Sequence, residues 1–171
     1  MDLPNRRSIR LKNFDYSSEG AYFITICTQG REMLFGDIID KKMKTNILGD
    51  LLTSIWKSLP DRFSVDLGSY QIMPNHFHGI ILINQSVGAP LVGALSKTGQ
   101  VQDLPLRKIS LGDIVGTFKS LSTNAWKHGK FWQRNYYEHV IRNDKDFDKI
   151  SWYIENNPLM WDEDENNLQK E

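Results

Sequence analysis

The sequence predicts an α+β fold, a four-stranded antiparallel sheet with helices on one face and a further C-terminal helix. Three observations lead to it. Four segments have the composition of strands, at residues 21–29, 63–73, 76–84 and 136–142. Two segments with helical spacing lie between those strands, at residues 45–59 and 110–126. The resulting order β-α-β-β-α-β is typical of the ferredoxin-like arrangement, and a third helical segment follows at residues 144–157.

The strands are predicted by aromatic and β-branched residues in alternation with polar ones. "AYFITICTQ" (21–29) is the clearest case. The second strand is expected to carry a bulge at Gly68, because glycine inside a strand often marks one. Pro74 and Asn75 separate the second strand from the third and predict a tight connection between them.

The helices are predicted by apolar residues at spacings of three and four. Their expected boundary residues are Pro60 after the first, Ser110 with Asp113 as a capping box of the second, Asp144 as N-cap of the third, and Pro158 beyond its end.

The 171 residues suit one domain, expected to span 1–161, with a flexible insertion at about 85–107 and an acidic tail at 162–171. Two prolines and three glycines without periodicity predict the insertion. The tail holds five acidic residues and one lysine, so its formal charge is about −4. Because the whole chain has a formal net charge of +0, the remaining residues carry about +4.

The compartment is predicted from cysteine usage and hydropathy. A lone Cys27 allows no internal disulfide and is compatible with a reducing cytoplasm. No apolar run approaches the ~20 residues that span a bilayer. The basic N-terminus lacks the apolar stretch of a signal peptide. We therefore expect a cytoplasmic protein without a membrane segment.

Positive charge gathers in an N-terminal arm (Arg6, Arg7, Arg10 and Lys12) and again from Lys119 to Arg134. Phosphate binding depends on local rather than total charge, so both regions are candidate nucleic-acid contacts; a merely solvated surface is the alternative. "FWQRNYYEH" interleaves aromatic rings with Arg134, as in a base-stacking surface, although a strand preceded by an aromatic turn explains it equally well.

Two histidines in "MPNHFHGIILI" form the first candidate site. Residues i and i+2 of a strand point to one face, so His76 and His78 stand side by side and could share a metal ion. Tyr153 and Asn157 are four residues apart and therefore lie on one helix face. Histidines satisfied by the fold, a packed tyrosine and a helix-ending asparagine are the alternatives.

Five motifs, in this order, resemble the HUH single-tyrosine transposases, especially the REP-associated tyrosine transposases, and cover most of residues 10–161: "RLKNFDYSSEGAYFITICTQGREMLFG", "MPNHFHGIILI", "LGDIVGTFKSLSTNAW", "FWQRNYYEHVIRN" and "WYIENNPLMW". The resemblance implies that His76 and His78 hold a divalent cation, that Tyr153 is the nucleophile, and that Asn157 is a third ligand where the insertion-sequence branch has glutamine.

The resemblance also implies the reaction. Tyrosine attack on single-stranded or hairpin DNA would give a 5′-phosphotyrosine link and a free 3′-hydroxyl. An N,N,O ligand set suits Mg²⁺ or Mn²⁺, with zinc not excluded. Relatives include monomers and homodimers. The alternatives are a hairpin-binding protein that no longer cuts DNA and a metal-dependent nuclease that uses water. The weaker candidate DNA contacts are Arg6, Arg7, Arg10, Lys12, Lys119, Trp132, Arg134, Tyr136, His139 and Arg142.

Overall fold

The structure, a computed structural model, describes residues 14–84 and 108–168. The basic arm at Arg6, Arg7, Arg10 and Lys12 lies outside the described residues, as does the predicted insertion at 85–107. In the described part of the chain, no helix combines the length and the apolar character needed to cross a membrane.

The described chain forms six strands and three α-helices. The strands are β1 (Gly20–Cys27), β2 (Gly36–Ile39), β3 (Lys42–Thr45), β4 (Val65–Met73), β5 (His76–Ile83) and β6 (Tyr137–Ile141). The helices are α1 (Ile47–Lys57), α2 (Leu111–Trp126) and α3 (Asp144–Asn156), and α3 continues into a 3₁₀ helix over Asn157–Glu163.

Four strands make the main sheet, in the order β4-β5-β1-β6, and each neighbouring pair is antiparallel. The predicted α+β class with a four-stranded antiparallel sheet is therefore confirmed. The pairing of β4 with β5 shifts between Leu67 and Tyr70, which places an irregularity around Gly68 as predicted.

The two faces of this sheet bury different layers because strand side chains alternate. On one face, α1 and α2 pack over the sheet, and the ring centroid of Trp56 lies 4.7 Å from that of Phe77 and 5.6 Å from that of Phe118. On the other face, α3 packs Ile154 against Phe23. Since Phe77 points into the first layer, its neighbours His76 and His78 point toward the α3 face.

Two local features differ from the sequence prediction. Asn143, not Asp144, is the N-cap of α3, because its side chain accepts the Asp146 backbone N–H at 2.9 Å and leaves Asp144 inside the helix. The β2–β3 hairpin was not predicted. Its turn residues Asp40 and Lys41 both have positive φ, 50° and 58°, as a type I′ turn requires, yet this pair lacks the usual Asn-Gly or Asp-Gly signal.

Candidate functional site

His76 and His78 converge on one point of the α3 face. Their Nε2 atoms lie 2.9 Å apart. Both side chains are buried, with relative exposures of 0% and 2%. Each ring is fixed on its far side: the Nδ1 of His76 lies 2.8 Å from Asn75 Oδ1, and the Nδ1 of His78 lies 2.8 Å from Thr25 Oγ1. The two imidazoles are thus held with their Nε2 atoms facing the same small space.

The neighbours of His76 determine its tautomer. The amide nitrogen of Asn75 donates to the backbone oxygens of Arg31 and Asn166, at 3.2 Å and 2.7 Å, so its Oδ1 is the atom that faces His76. A carbonyl oxygen only accepts, and His76 therefore carries its proton on Nδ1. Its Nε2 then presents a lone pair to the site, which is the form a metal ion binds.

The site is arranged for neutral histidines. Burial, reinforced by the positive charge of Arg31, lowers the pKa of His76 to about 3. Burial also lowers the pKa of His78 well below its ordinary value, and repulsion from His76 adds to this. Both rings are consequently uncharged at neutral pH and available as ligands.

Tyr153 and Asn157 lie beside the histidine pair. The rings of Tyr153 and His78 meet edge-on with centroids 5.4 Å apart. Burial raises the pKa of Tyr153, and the negative charge of Asp164 raises it further. Asn157 follows α3 by one residue, is 1% exposed, and has a buried Oδ1 without a hydrogen-bond partner among the described residues. The sequence prediction that these side chains share a helix face is consistent with this placement.

Asp164 is a further acidic group at the site, and sequence reasoning missed it. Its carboxylate accepts a hydrogen bond from the Asn157 amide at 3.0 Å and lies 3.9 Å from His76 Nε2. The ligand atoms of Asp164, His76 and His78 all lie within 4.8 Å of one another, so the three groups can hold a metal ion. Asp164 belongs to the segment predicted as an acidic tail, and nothing in that run of acids distinguishes it.

A pocket of about 580 Å³ opens next to this cluster. His78, Tyr153, Asn135 and Tyr137 are among the residues that line it. Arg31 also lines the pocket. A ligand in this space would touch the imidazole of His78 and the phenol of Tyr153.

Sequence comparison identifies two relatives in Haemophilus influenzae. One, described as an uncharacterized protein, is 44% identical over 170 residues, which cover 95% of this chain and 93% of the relative. The other is assigned by name to the REP-associated tyrosine transposases and is 25% identical over 148 residues, covering 85% of this chain and 73% of the relative. No protein-family model matches the chain.

Structural comparison finds the same fold in a REP-associated tyrosine transposase bound to a REP hairpin. The TM-score is 0.63 at 17% identity, and the match covers 91% of this chain and 74% of that one. The chain therefore has the fold of this transposase, and it is similar in sequence to a relative that is named as a REP-associated tyrosine transposase.

Two of the weaker candidate DNA contacts serve packing. Trp132 is 7% exposed and donates its indole N–H to Ser122 Oγ at 2.8 Å, so its ring is not accessible to a base. Lys119 donates to the backbone oxygens of Gln133 and Arg134 at 2.5 Å and 3.0 Å, which ties α2 to the segment before β6. Both side chains thus have a role in the fold, and the contact of Lys119 and Trp132 with DNA stays a prediction.

The other candidate DNA contacts differ in exposure. Arg134 and Arg142 are exposed. Tyr136 is half-buried and lines the pocket. His139 hydrogen-bonds Asp146 at 2.9 Å, and this contact holds the pKa of that carboxyl below its usual range. Of these four, Tyr136 is the residue that the structure brings to the site.

Proposed function

We propose that the protein is a metal-dependent DNA strand transferase in which Tyr153 attacks a phosphate of single-stranded or hairpin DNA. The observation that carries the proposal is the packing of Tyr153 against His78, with ring centroids 5.4 Å apart, beside a buried pair of neutral imidazoles. The proposed nucleophile and a candidate metal centre thus share one face of one chain.

The residues present fit a divalent cation. The Nε2 atoms of His76 and His78 are 2.9 Å apart and face the same small space, so one ion could be bound by both. Asn157 adds a buried oxygen without a partner among the described residues, and Asp164 adds a carboxylate. His76, His78, Asn157 and Asp164 would hold the ion. Oxygen ligands beside imidazole favour Mg²⁺ or Mn²⁺.

Each residue has a part in the proposed step. A bound cation would neutralise charge on the phosphate as it builds up. Tyr153 Oη forms the new bond to phosphorus, and the bond from phosphorus to the 3′-oxygen breaks. The phenol proton ends on the departing 3′-oxygen, which leaves a 5′-phosphotyrosine and a 3′-hydroxyl. Because phosphoryl transfer depends mainly on positioning and charge stabilisation, the contribution of the fold is to hold Tyr153 beside His78.

The proposed partner is DNA, in the cytoplasm, with the protein acting as a monomer or homodimer. The similar solved structure is of a transposase bound to a REP hairpin, and a hairpin with a single-stranded extension is accordingly the first substrate to offer. The exposed Arg134 and Arg142 are candidate contacts to its backbone.

The experiment is a search for a covalent adduct. Labelled hairpin libraries with single-stranded extensions are incubated with the protein and Mn²⁺ or Mg²⁺, then separated under SDS. We expect a metal-dependent adduct that Tyr153→Phe abolishes. Tyr70→Phe is the matched control, because Tyr70 packs against Trp56 and Phe77 on the opposite face of the sheet.

Two outcomes would favour another activity. Cleavage without an adduct would indicate a nuclease that uses water, with Tyr153 serving only the fold. Tight hairpin binding without cleavage or adduct would indicate a DNA-binding protein.

A further inference from the structure

Three side chains on neighbouring strands form a row across the α3 face. His78 in β5 pairs with Thr25 in β1, and Thr25 pairs with Tyr137 in β6. Residues directly opposite one another in antiparallel strands point to the same face, and strands two apart are separated by roughly 10 Å. The histidine and the tyrosine therefore stand at the two ends of a row whose length is on the scale of one nucleotide.

The pocket of about 580 Å³ covers this row. His78 and Tyr137 line it at the two ends of the row, Tyr153 lies next to His78, and Asn135 also lines the pocket. Its wall is mixed in character, with aromatic rings, amides, one guanidinium and the carboxylate of Glu165. The rings and amides suit a ligand with a flat ring and hydrogen-bonding edges, and a negatively charged group on that ligand would bind at the guanidinium, because Glu165 repels it.

Tyr137 offers an aromatic face to this pocket. It is 52% exposed, although most large apolar side chains on the sheet are buried. Its ring meets that of Phe23 with centroids 6.2 Å apart and planes 69° apart, and Phe23 makes a similar T-shaped contact with Tyr153 at 6.2 Å. A half-exposed ring that lines the pocket and is held by a neighbouring ring offers a platform on which a base can stack.

Arg31 supplies the positive charge. Among the described residues that line the pocket it is the one cation. Its backbone φ is +59°, a conformation uncommon outside glycine, and its carbonyl accepts a hydrogen bond from Asn75 Nδ2 at 3.2 Å. Its guanidinium donates to Asn166 Oδ1. These contacts direct the cation into the site, where a phosphate could replace the Asn166 amide as its partner.

We propose that this pocket binds a single nucleotide of the DNA strand, with its phosphate at Arg31 and its base stacked on Tyr137. The amide of Asn135 lies within the same pocket and is placed to contact the edge of the base. The claim that Tyr153 attacks this same nucleotide rests on the proposed function. The claim that the pocket binds a nucleotide does not rest on it.

The test of the platform measures binding in a Tyr153→Phe background, so that no chemistry occurs. The probes are a fluorescein-labelled short oligothymidylate and an abasic oligonucleotide of equal length. Tyr137→Ala should weaken oligothymidylate binding about tenfold, within the range found for removal of one stacked base, while Tyr137→Phe should bind normally. The abasic probe should bind both variants equally, because it keeps the phosphates and lacks the bases.

Trp152→Ala is the matched control, since Trp152 is an exposed aromatic residue of α3 at 60% exposure that does not line the pocket. Equal binding by Tyr137→Ala and the parent would overturn the inference. So would an equal loss with the abasic probe, which would mean that Tyr137 acts through the fold.

The phosphate end is tested by salt dependence. Arg31→Gln should reduce the slope of log affinity against log salt by about one, as expected for one lost phosphate contact. Arg62→Gln, at an exposed arginine outside the pocket, should leave the slope unchanged. An unchanged slope in Arg31→Gln would remove Arg31 from the proposal.

The two proposals fail in different ways. A Tyr137-dependent oligothymidylate affinity without any covalent adduct would retain the nucleotide pocket and reject strand transfer. A covalent adduct that depends on Tyr153, together with DNA binding that does not change when Tyr137 or Arg31 is replaced, would retain strand transfer and reject the nucleotide pocket.

Discussion

Thr25 acts on the candidate metal site through His78. Its hydroxyl lies 2.8 Å from His78 Nδ1, and it has no other hydrogen bond among the described side chains. The nitrogen that faces a ligand is set by the bond that the other nitrogen makes, so Thr25 orients the ring without touching the ion.

Replacing Thr25 with valine keeps the shape of the side chain and removes that bond. We expect Thr25→Val to lower the affinity for Mn²⁺ by about tenfold to a hundredfold, the usual cost of losing an outer-shell partner. Calorimetric titration of Mn²⁺ measures it. Thr53→Val on α1 is the control, because its hydroxyl bonds only to the Gly49 backbone oxygen at 3.3 Å. Equal affinities for the two variants would show that Thr25 does not orient the metal site.

Acid should destabilise the metal-free protein through the histidine pair. Burial keeps the pKa of His76 at about 3, compared with an ordinary value of 6.5, so between these values the unfolded chain binds a proton that the folded chain does not. The free energy of unfolding therefore falls as the pH falls through this window, by up to about 1.4 kcal/mol per unit for each such histidine.

Urea unfolding in the presence of a chelator, repeated between about pH 6.5 and pH 4.5, measures how the free energy of unfolding depends on pH. This range lies above the pKa values of most carboxylates, so their titration contributes little. In the double variant His76→Gln/His78→Gln, the free energy of unfolding should depend less steeply on pH. This holds whatever the stability of the variant at neutral pH. A slope equal to that of the parent would assign the acid sensitivity to other groups.

At the level of elements, β5 carries different kinds of side chain on its two faces, because successive strand residues point to opposite sides of the sheet. Its odd-numbered residues, such as Phe77, enter the aromatic layer beneath α1, and its even-numbered histidines enter the site. Gly79 lies on the aromatic side, where a Cβ would meet the Trp56 ring at 2.7 Å and Phe77 at 2.9 Å. This close approach holds α1 against the strand that carries the histidines.

Gly79→Ala should therefore lower the free energy of unfolding by about 1–3 kcal/mol, the usual cost of overpacking a core. Gly116→Ala is the matched control, since a Cβ there meets no heavy atom within 4 Å on an exposed part of α2. It should stabilise the protein by up to about 1 kcal/mol, because alanine favours a helix interior. Thermal unfolding of both variants measures the contrast. Equal shifts in unfolding temperature would mean that the side chains around Trp56 accommodate the added methyl group without loss of stability.

Prediction from sequence succeeds where local pattern and final structure agree. The period of two in β5 placed His76 and His78 on one face, and the capping box at Ser110 and Asp113 was correctly predicted. It failed at the β2–β3 hairpin, whose Asp40-Lys41 turn has an atypical sequence. It could not assign Asp164, because that carboxylate reaches His76 only through the turn that the chain makes after α3.

For the whole molecule, one chain brings the proposed nucleophile and the proposed ligands together. Tyr153 lies against the His78 of its own chain. We therefore expect strand transfer, if it occurs in a dimer, to use the tyrosine and histidines of the same protomer.

Mixing two inactive variants tests this arrangement. Tyr153→Phe and His76→Gln/His78→Gln, combined at equal concentrations, should form no more adduct than the two variants assayed separately. Co-expression of the two chains before purification ensures that mixed dimers have had the chance to form. Recovery of adduct in the mixture would show that the tyrosine helix serves the partner chain instead.

The contact between Asp164 and His76 also has a consequence for biosynthesis. The ribosome releases β5 long before it makes the turn that contains Asp164, and the sheet lacks its β6 edge during that interval. A nascent chain therefore displays two imidazoles without Tyr153, Asn157 or Asp164. Whatever chemistry this face performs becomes available only after nearly all of the chain described here has emerged, so a truncated translation product would carry the histidines but not the site.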